Sequence, residues 1–219
     1  MFRPAGGGVF IVLEGGEGSG KGSVGAAMSQ WMQAQGLAHL CTREPGGTPE
    51  GAQIRKALIE SGNDWDPVSE LLLMAADRRQ HIQKVILPAL RQGQVVLCDR
   101  FAFSTEAYQG AGRQLPMALI EQLHAITVGD LQPDLVVLLD VDPRIGLARS
   151  RKRLAAQGSS EDLFERLDLG FHERVRNSFL QQAARDAQRW TVLDASQALN
   201  DVIATAIGAL SRLGVAPSP

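Results

Sequence analysis

Apolar positions in this chain follow two patterns. Short unbroken runs occur at Val9 to Leu13, Val95 to Cys98, Leu135 to Leu139 and Trp190 to Leu193. Each is rich in strand-forming residues, and all but the last lead into a loop with charge or glycine, so they are predicted to be buried parallel strands. A weaker fifth strand is expected at Leu37 to Thr42, where Ala38 and His39 dilute the run. Between these runs, "GSVGAAMSQWMQAQ", "VSELLLMAADRRQHIQKVILPALRQ" and "NDVIATAIGALSRL" place apolar residues three and four apart, the spacing of helices with one buried face. The βαβα alternation predicts an α/β sandwich on a parallel sheet. Pro88, inside the longest helical pattern, is expected to kink or break it. The charged stretch "RKRLAAQGSSEDLFER", with its Gly-Ser-Ser centre, is expected to be a mobile excursion between two helices, and "GVAPSP" a frayed tail.

Composition narrows the class. No repeat or linker interrupts the pattern, and 219 residues suit one sizeable core, so a single domain over residues 1–219 is expected. The 22 Lys+Arg against 24 Asp+Glu leave a net charge of −2 and no broad basic field for long nucleic acid. Any nucleotide ligand is therefore expected to be small. Cys41 and Cys98 both sit in strand-like runs and are expected to be buried and unpaired. The opening "MFRPAGGG" lacks the apolar core of a leader, and no window approaches membrane-spanning length without charge. A cytoplasmic enzyme or binding protein is expected.

The strongest chemical signal is "GGEGSGKGS", Gly15 to Ser23, directly after the first strand. Gly15, Gly20 and Lys21 satisfy the strand, G-x-x-x-x-G-K, helix arrangement, in which backbone N–H groups and a helix N-terminus cradle phosphates and the lysine spans the outer ones. Gly16, Glu17, Gly18 and Ser19 complete the loop. The position that normally supplies a hydroxyl to Mg²⁺ is Gly22, and Ser23 points about 100 degrees away from that direction on an ideal helix. Mg²⁺ needs few protein ligands, so a weakened site is expected rather than a lost one. Asp99 ends the strand "VVLCD", where a carboxylate can hold the metal's water shell or cap the next helix. Arg100 beside it adds a phosphate-facing cation.

Further clusters of charge neutralisers follow in "TREPGGTPEGAQIRKAL", with Arg43 and Arg55, in "LLLMAADRRQH", with Arg78, and in "DRFAFSTEAYQG", with Arg100, Ser104, Thr105, Tyr108 and Gln109. Together with "PDLVVLLDVDP", in this order, they resemble the bacterial thymidylate kinase family, from the phosphate loop to about Ala195. The resemblance implies a phosphate-loop nucleoside monophosphate kinase fold: a three-layer α/β/α sandwich with a five-stranded parallel sheet and a mobile lid at about 149–166. It implies ATP and Mg²⁺ as cofactors, phosphorylation of dTMP to dTDP on the way to dTTP, and a homodimer. By the same resemblance Arg55 and Arg100 grip the dTMP phosphate, Arg78 bonds the thymine carbonyl, and Thr105 with Gln109 reads the base edge. Tyr108 packs on the deoxyribose, and Glu17 binds its 3′-hydroxyl. Taken alone, Arg78 also reads as a solvated helix residue and Tyr108 as core.

Arg149, Arg151 and Arg153 alternate along the lid, so they fan around a helix and at least one should face the cleft. The phosphate loop has no arginine, and the resemblance then implies that the catalytic arginine is one of these three. The loop "LDASQAL" resembles one that touches adenine through its backbone, although Asp194 and Ser196 read equally as caps of the final helix. Three positions depart from the family: Gly22, Met74, where a phenylalanine usually stacks on thymine, and Leu163, where the lid usually has arginine. They leave two alternatives open, a nucleoside monophosphate kinase of relaxed base preference and a nucleotide binder with little turnover. A GTPase switch fits poorly, since no N-K-x-D sequence occurs.

Overall fold

The structure, a computed structural model, describes residues 7–60, 64–157 and 164–214. Five parallel strands, β1 (Val9–Glu14), β2 (His39–Arg43), β3 (Val95–Asp99), β4 (Leu135–Asp140) and β5 (Trp190–Asp194), form one sheet in the order β2-β3-β1-β4-β5. Successive side chains of a strand point to opposite faces, which divides the core in two. Phe10, Val12, Val96, Cys98, Val136 and Leu138 pack on one side with Ile82, Ile86, Phe171 and Phe179. Ile11, Leu13, Val95, Leu97, Val137 and Leu139 pack on the other with Val24, Met28, Val202 and Leu210. The expected three-layer α/β/α sandwich follows from this alternation.

Helices α1 (Lys21–Ala34) and α9 (Leu199–Ser211) cover the second face. Residues of α3 (Pro67–His81), α4 (Leu87–Arg91), α5 (Ala102–Thr105) and α8 (Leu169–Arg185) pack into the first core, and α2 (Pro49–Arg55) and α6 (Met117–Thr127) lie against α3. The helix α7 (Pro143–Gln157) follows β4.

The weak fifth strand is real, and its dilution has a cause: β2 is an edge strand. Cys41 is consequently exposed, which corrects the expectation that it is buried, whereas Cys98 on central β3 is buried. Pro88 does not break its helix. A wide π turn at Ile82–Ile86 joins α3 to α4, placing Pro88 near the start of the last segment. Proline lacks an N–H and crowds the carbonyl four residues back, so the deviation appears one turn before the ring. Among the described residues no helix is long and apolar enough to cross a membrane. The lid centre at 158–163, including Leu163, and the tail at 215–219 lie outside the described residues.

Candidate active site

Parallel register brings Asp99 level with Leu13 of β1 and Arg43 of β2, and Asp140 level with Asp194 of β5. The carboxyl edge of the sheet thus gathers the charged residues, where open α/β sheets bind ligands. The loop from Gly15 to Gly20 crosses this edge and enters α1, whose first turn has no acidic residue to cancel its positive end. Gly20 starts the helix from the left-handed region at φ 96°, which a side chain would strain. Gly18, at φ 63°, packs so closely on Gly146 of α7 that a Cβ there would overlap the Gly146 carbonyl.

Lys21 is buried and donates to the carbonyls of Gly15 (2.9 Å) and Gly16 (3.0 Å) and to Ser19 Oγ (3.3 Å). Burial, then the nearby Arg100 cation, lowers its pKa to about 8. Arg100 has a left-handed backbone at φ 71°, rare for a non-glycine residue and a strain typical of functional sites. Its Nη1 donates to Gly15 O (3.0 Å), and its Nη2 to Glu17 Oε1 (2.8 Å). The Tyr108 hydroxyl donates to the same Glu17 oxygen at 2.8 Å, and the guanidinium lies 4.8 Å from the Tyr108 ring centre. Burial pushes the Glu17 carboxyl up, but Arg100 and Lys21 outweigh it and hold it below the usual range.

Glu17, Arg55, Met74, Arg78, Arg100, Tyr108 and Gln109 line one cleft, together with Glu44, Pro45, Ile59, Asp77 and Phe164. Seven of the eight expected acceptor residues therefore meet here. The eighth, Thr105, lies behind the wall, where its buried hydroxyl accepts from Arg78 Nη1 at 2.7 Å. Arg78 is 4% exposed, so the solvated reading of it fails; it also donates to Glu44 Oε2 (2.8 Å) and Phe101 O (3.0 Å). A guanidinium has more N–H donors than these three acceptors use, so it can both be fixed and bind a ligand. Gln109 is held by Glu70, to which its Nε2 donates at 2.8 Å, and Arg55 Nη1 donates to Pro45 O at 3.2 Å.

A second cleft is lined by Gly18, Ser19, Gly20 and Ser23, by Arg149 and Arg153, and by Ala195, Gln197 and Leu199. Arg149 and Arg153 are one turn apart and share this face; Arg151 is exposed and is not among its lining residues. Arg149 Nη1 donates to Ala195 O at 2.7 Å, tying α7 to the loop after β5. In that loop Asp194 accepts from Ser196 N, Ser196 Oγ and Gln197 Nε2, and these bonds, the hydroxyl first, pull its pKa down to about 2. It thus braces its own turn. Helix α9 has Ala198 at its cap with no side-chain bond, so the helix-cap reading of Asp194 and Ser196 is corrected.

A third cleft joins Lys21, Gly22, Arg43, Gly46, Gly47 and Asp99. Asp99 Oδ1 is buried there without a hydrogen-bond partner, and a Cβ added to Gly22 would meet nothing within 4 Å. One uncommitted carboxylate oxygen beside open space suits a cation that keeps most of its waters. Ser23 faces the second cleft instead, so the structure does not bring it to Asp99. Asp99 caps no helix either, since Phe101 holds the cap position of α5 and no side chain bonds there. Among the described residues no three His, Cys, Asp or Glu converge as a metal cluster.

Several supporting residues escaped the sequence reading. Buried Glu14 accepts from Phe101 N (2.9 Å) and Ser104 Oγ (2.6 Å), bracing the turn that presents Arg100. Burial lifts its pKa to about 7 against the pull of Arg100. Glu44 bonds His81 as well as Arg78, and Asp77 accepts from Gly46 N at 3.1 Å, with its pKa pushed up to about 6 by burial and then by Glu44. The available signal was spacing: Glu70, Met74, Asp77, Arg78 and His81 all fall on one face of α3.

A phosphate loop at the carboxyl edge of a parallel sheet, with Arg149 and Arg153 lining the cleft on one side of it and Glu17 and Arg100 lining the cleft on the other, defines the class of phosphate-loop nucleoside monophosphate kinases. A family model described as thymidylate kinase matches residues 13–206. A thymidylate kinase of Cereibacter sphaeroides (strain ATCC 17029 / ATH 2.4.9) is 52% identical over 205 residues, 93% of this chain and 94% of that protein. One of Deinococcus radiodurans is 44% identical over 207 residues, 94% and 98% of the two chains. The crystal structure of thymidylate kinase from Ehrlichia chaffeensis superposes with a TM-score of 0.73 at 32% identity, covering 94% of this chain and 99% of that one. The chain belongs to the thymidylate kinase family.

Proposed function

We propose that residues 1–219 form one kinase domain, with a lid at about 149–166, that transfers the γ-phosphoryl group of ATP to dTMP, giving dTDP and ADP for dTTP synthesis. The observation that carries this reading is the junction of the phosphate loop with the acceptor cleft: Glu17 belongs to the loop and lines the cleft, and Arg100, which also lines it, bonds Gly15 and Glu17 of the loop. An acceptor phosphate drawn to Arg100 and Arg55 then lies next to the loop that holds the donor. Its oxygen attacks the γ-phosphorus as the bond to the β–γ bridging oxygen breaks, and the electron pair leaves with ADP. Such a transfer depends on positioning and charge neutralisation rather than on a protein nucleophile.

Lys21 turns from the loop carbonyls to the donor phosphates, and lid arginines neutralise charge in the transition state; Arg149 and Arg153 are favoured over Arg151 because they line the donor cleft. Arg78 serves the thymine carbonyl, with Gln109 beside it; Thr105 acts by fixing Arg78. Met74 gives the base an apolar surface through a polarizable thioether. Glu17, oriented by Arg100 and Tyr108, accepts the sugar 3′-hydroxyl, and the Tyr108 ring packs on the deoxyribose. Bound with ATP, Mg²⁺ supplies charge neutralisation across the phosphates, and Asp99 is the residue that would hold it, through water. The working form is proposed to be a cytoplasmic homodimer.

The test is coupled ADP release with ATP, Mg²⁺ and a panel of dTMP, dUMP, dCMP, dGMP and AMP. Turnover preferring dTMP, with dTDP and ADP in equal amounts, is expected. No turnover with any acceptor, while ATP still raises the melting temperature, would overturn the reading.

A further inference from the structure

The first two described residues after the centre of the lid, Phe164 and Glu165, make contacts in different places. Phe164 is buried, meets the Tyr108 ring edge-on at 5.0 Å, stacks on Phe171 at 6.3 Å and lines the acceptor cleft. Its neighbour Glu165, 1% exposed, faces α7. There its carboxylate accepts a short bond from the Ser150 hydroxyl and lies 3.5 Å from Arg153 Nη2. Arg153 Nη2 in turn donates to Ser150 Oγ at 2.8 Å. Ser150 and Arg153 are three residues apart on the helix, so the triangle closes on one face. Arg153 is otherwise half-exposed, with 53% of its side chain accessible, and lines the donor cleft beside Gly18 to Gly20.

A half-exposed arginine has many rotamers and no fixed direction unless something holds it. Here the holder is a buried anion, itself fixed by the ring before it. Catalytic groups need this kind of support, because a cation that stabilises a transition state must be aimed before the reaction begins. We propose that Glu165 is a positioning residue for phosphoryl transfer, acting directly and through Ser150 to aim the Arg153 guanidinium at the donor phosphates. The proposal rests on the assignment of Arg153 made above.

Glu165→Gln keeps the shape and an oxygen for Ser150 while removing the charge that draws Arg153. The experiment measures kcat, the KM for ATP and dTMP, and ADP affinity by calorimetry in the wild type, Glu165→Gln, Arg153→Met and the double variant. The expected result is a loss of about tenfold in kcat for Glu165→Gln, with both KM values and ADP affinity within about twofold. The double variant should be no slower than Arg153→Met, since residues acting as one unit are not additive. A slow Arg153→Met beside a normal Glu165→Gln, or two losses that multiply, would overturn the proposal. A normal Arg153→Met would instead overturn the assignment of Arg153, and the proposal with it. If Glu165→Gln folds poorly, Ser150→Ala cuts the same link from the helix side and must reproduce both the kcat loss and its non-additivity; wild-type turnover by that variant would overturn the proposal.

Discussion

Lys21 commits its ammonium to two loop carbonyls and the Ser19 hydroxyl, in a pocket where burial and Arg100 lower its pKa to about 8. Donor phosphates bind the charged lysine, so the sign of the pH dependence follows. Below about pH 7 the ammonium is already protonated and ATP affinity should not depend on this group. Above pH 8 the free lysine has lost its proton and binding must take one up, so affinity should fall by up to about tenfold per pH unit. Calorimetry at pH 9 in buffers of different ionisation heat should show that uptake; binding with none would mean that another group faces the phosphates. The neighbouring Gly22 gives a second prediction. Its Cβ position is open and adjoins the cleft that contains the unpartnered Asp99 oxygen. Gly22→Thr should therefore fit, raise the rate at limiting Mg²⁺ and leave it unchanged at saturation. A Mg²⁺ titration in which the two proteins coincide would remove Gly22 from the account of metal binding.

At the scale of elements, the phosphate loop and α7 meet through two glycines that exclude side chains. A Cβ at Gly146 would overlap the Glu17 carbonyl and crowd Val141. Gly146→Ala should therefore cost ~1–3 kcal/mol, the usual penalty of overpacking, and weaken ATP binding because the displaced loop is the donor cradle. Thermal melts with and without ATP would check both, and an unchanged melting temperature would show that the two elements separate freely. This contact was not legible in the sequence, where Gly146 is one glycine inside a helical pattern and nothing marks its partner. The strands were legible because a buried parallel sheet demands unbroken apolar runs. β2 was faint because an edge strand does not. Pro88 could be seen to disturb its helix, but not that the chain would widen one turn earlier at Ile82–Ile86. Helix α3 was legible only at Arg78 and Met74. Glu70, Asp77, Arg78 and His81 have the character of a solvated face, yet all four are buried and bonded to residues distant in the chain: Glu70 to Gln109 and Arg113, Asp77 to the Gly46 N–H, Arg78 to Glu44 and Thr105, and His81 to Glu44 and Thr42. Periodicity gives the face of a helix, but what covers that face depends on residues distant in the chain.

At the scale of the molecule, α3 has a second face to account for. Opposite its buried polar stripe, Val68 and Leu72 are exposed one turn apart, at 38% and 51%, and Ile126 on the adjoining α6 is 70% exposed. Covering such side chains contributes up to ~2 kcal/mol each, which favours the proposed dimer seated on α3 and α6. The same helix carries Met74, Asp77 and Arg78 into the acceptor cleft, so a partner on its outer face would also steady the thymine site. The chain should sediment as a dimer, and Leu72→Glu combined with Ile126→Glu should give a monomer. In that monomer the KM for dTMP should rise while the KM for ATP stays unchanged, because the donor cleft takes no residue from α3 or α6. Sedimentation velocity paired with steady-state kinetics separates the outcomes. A wild type that is monomeric at all concentrations would remove the dimer, and a monomeric variant with an unaltered KM for dTMP would keep the interface but cut its link to the acceptor cleft.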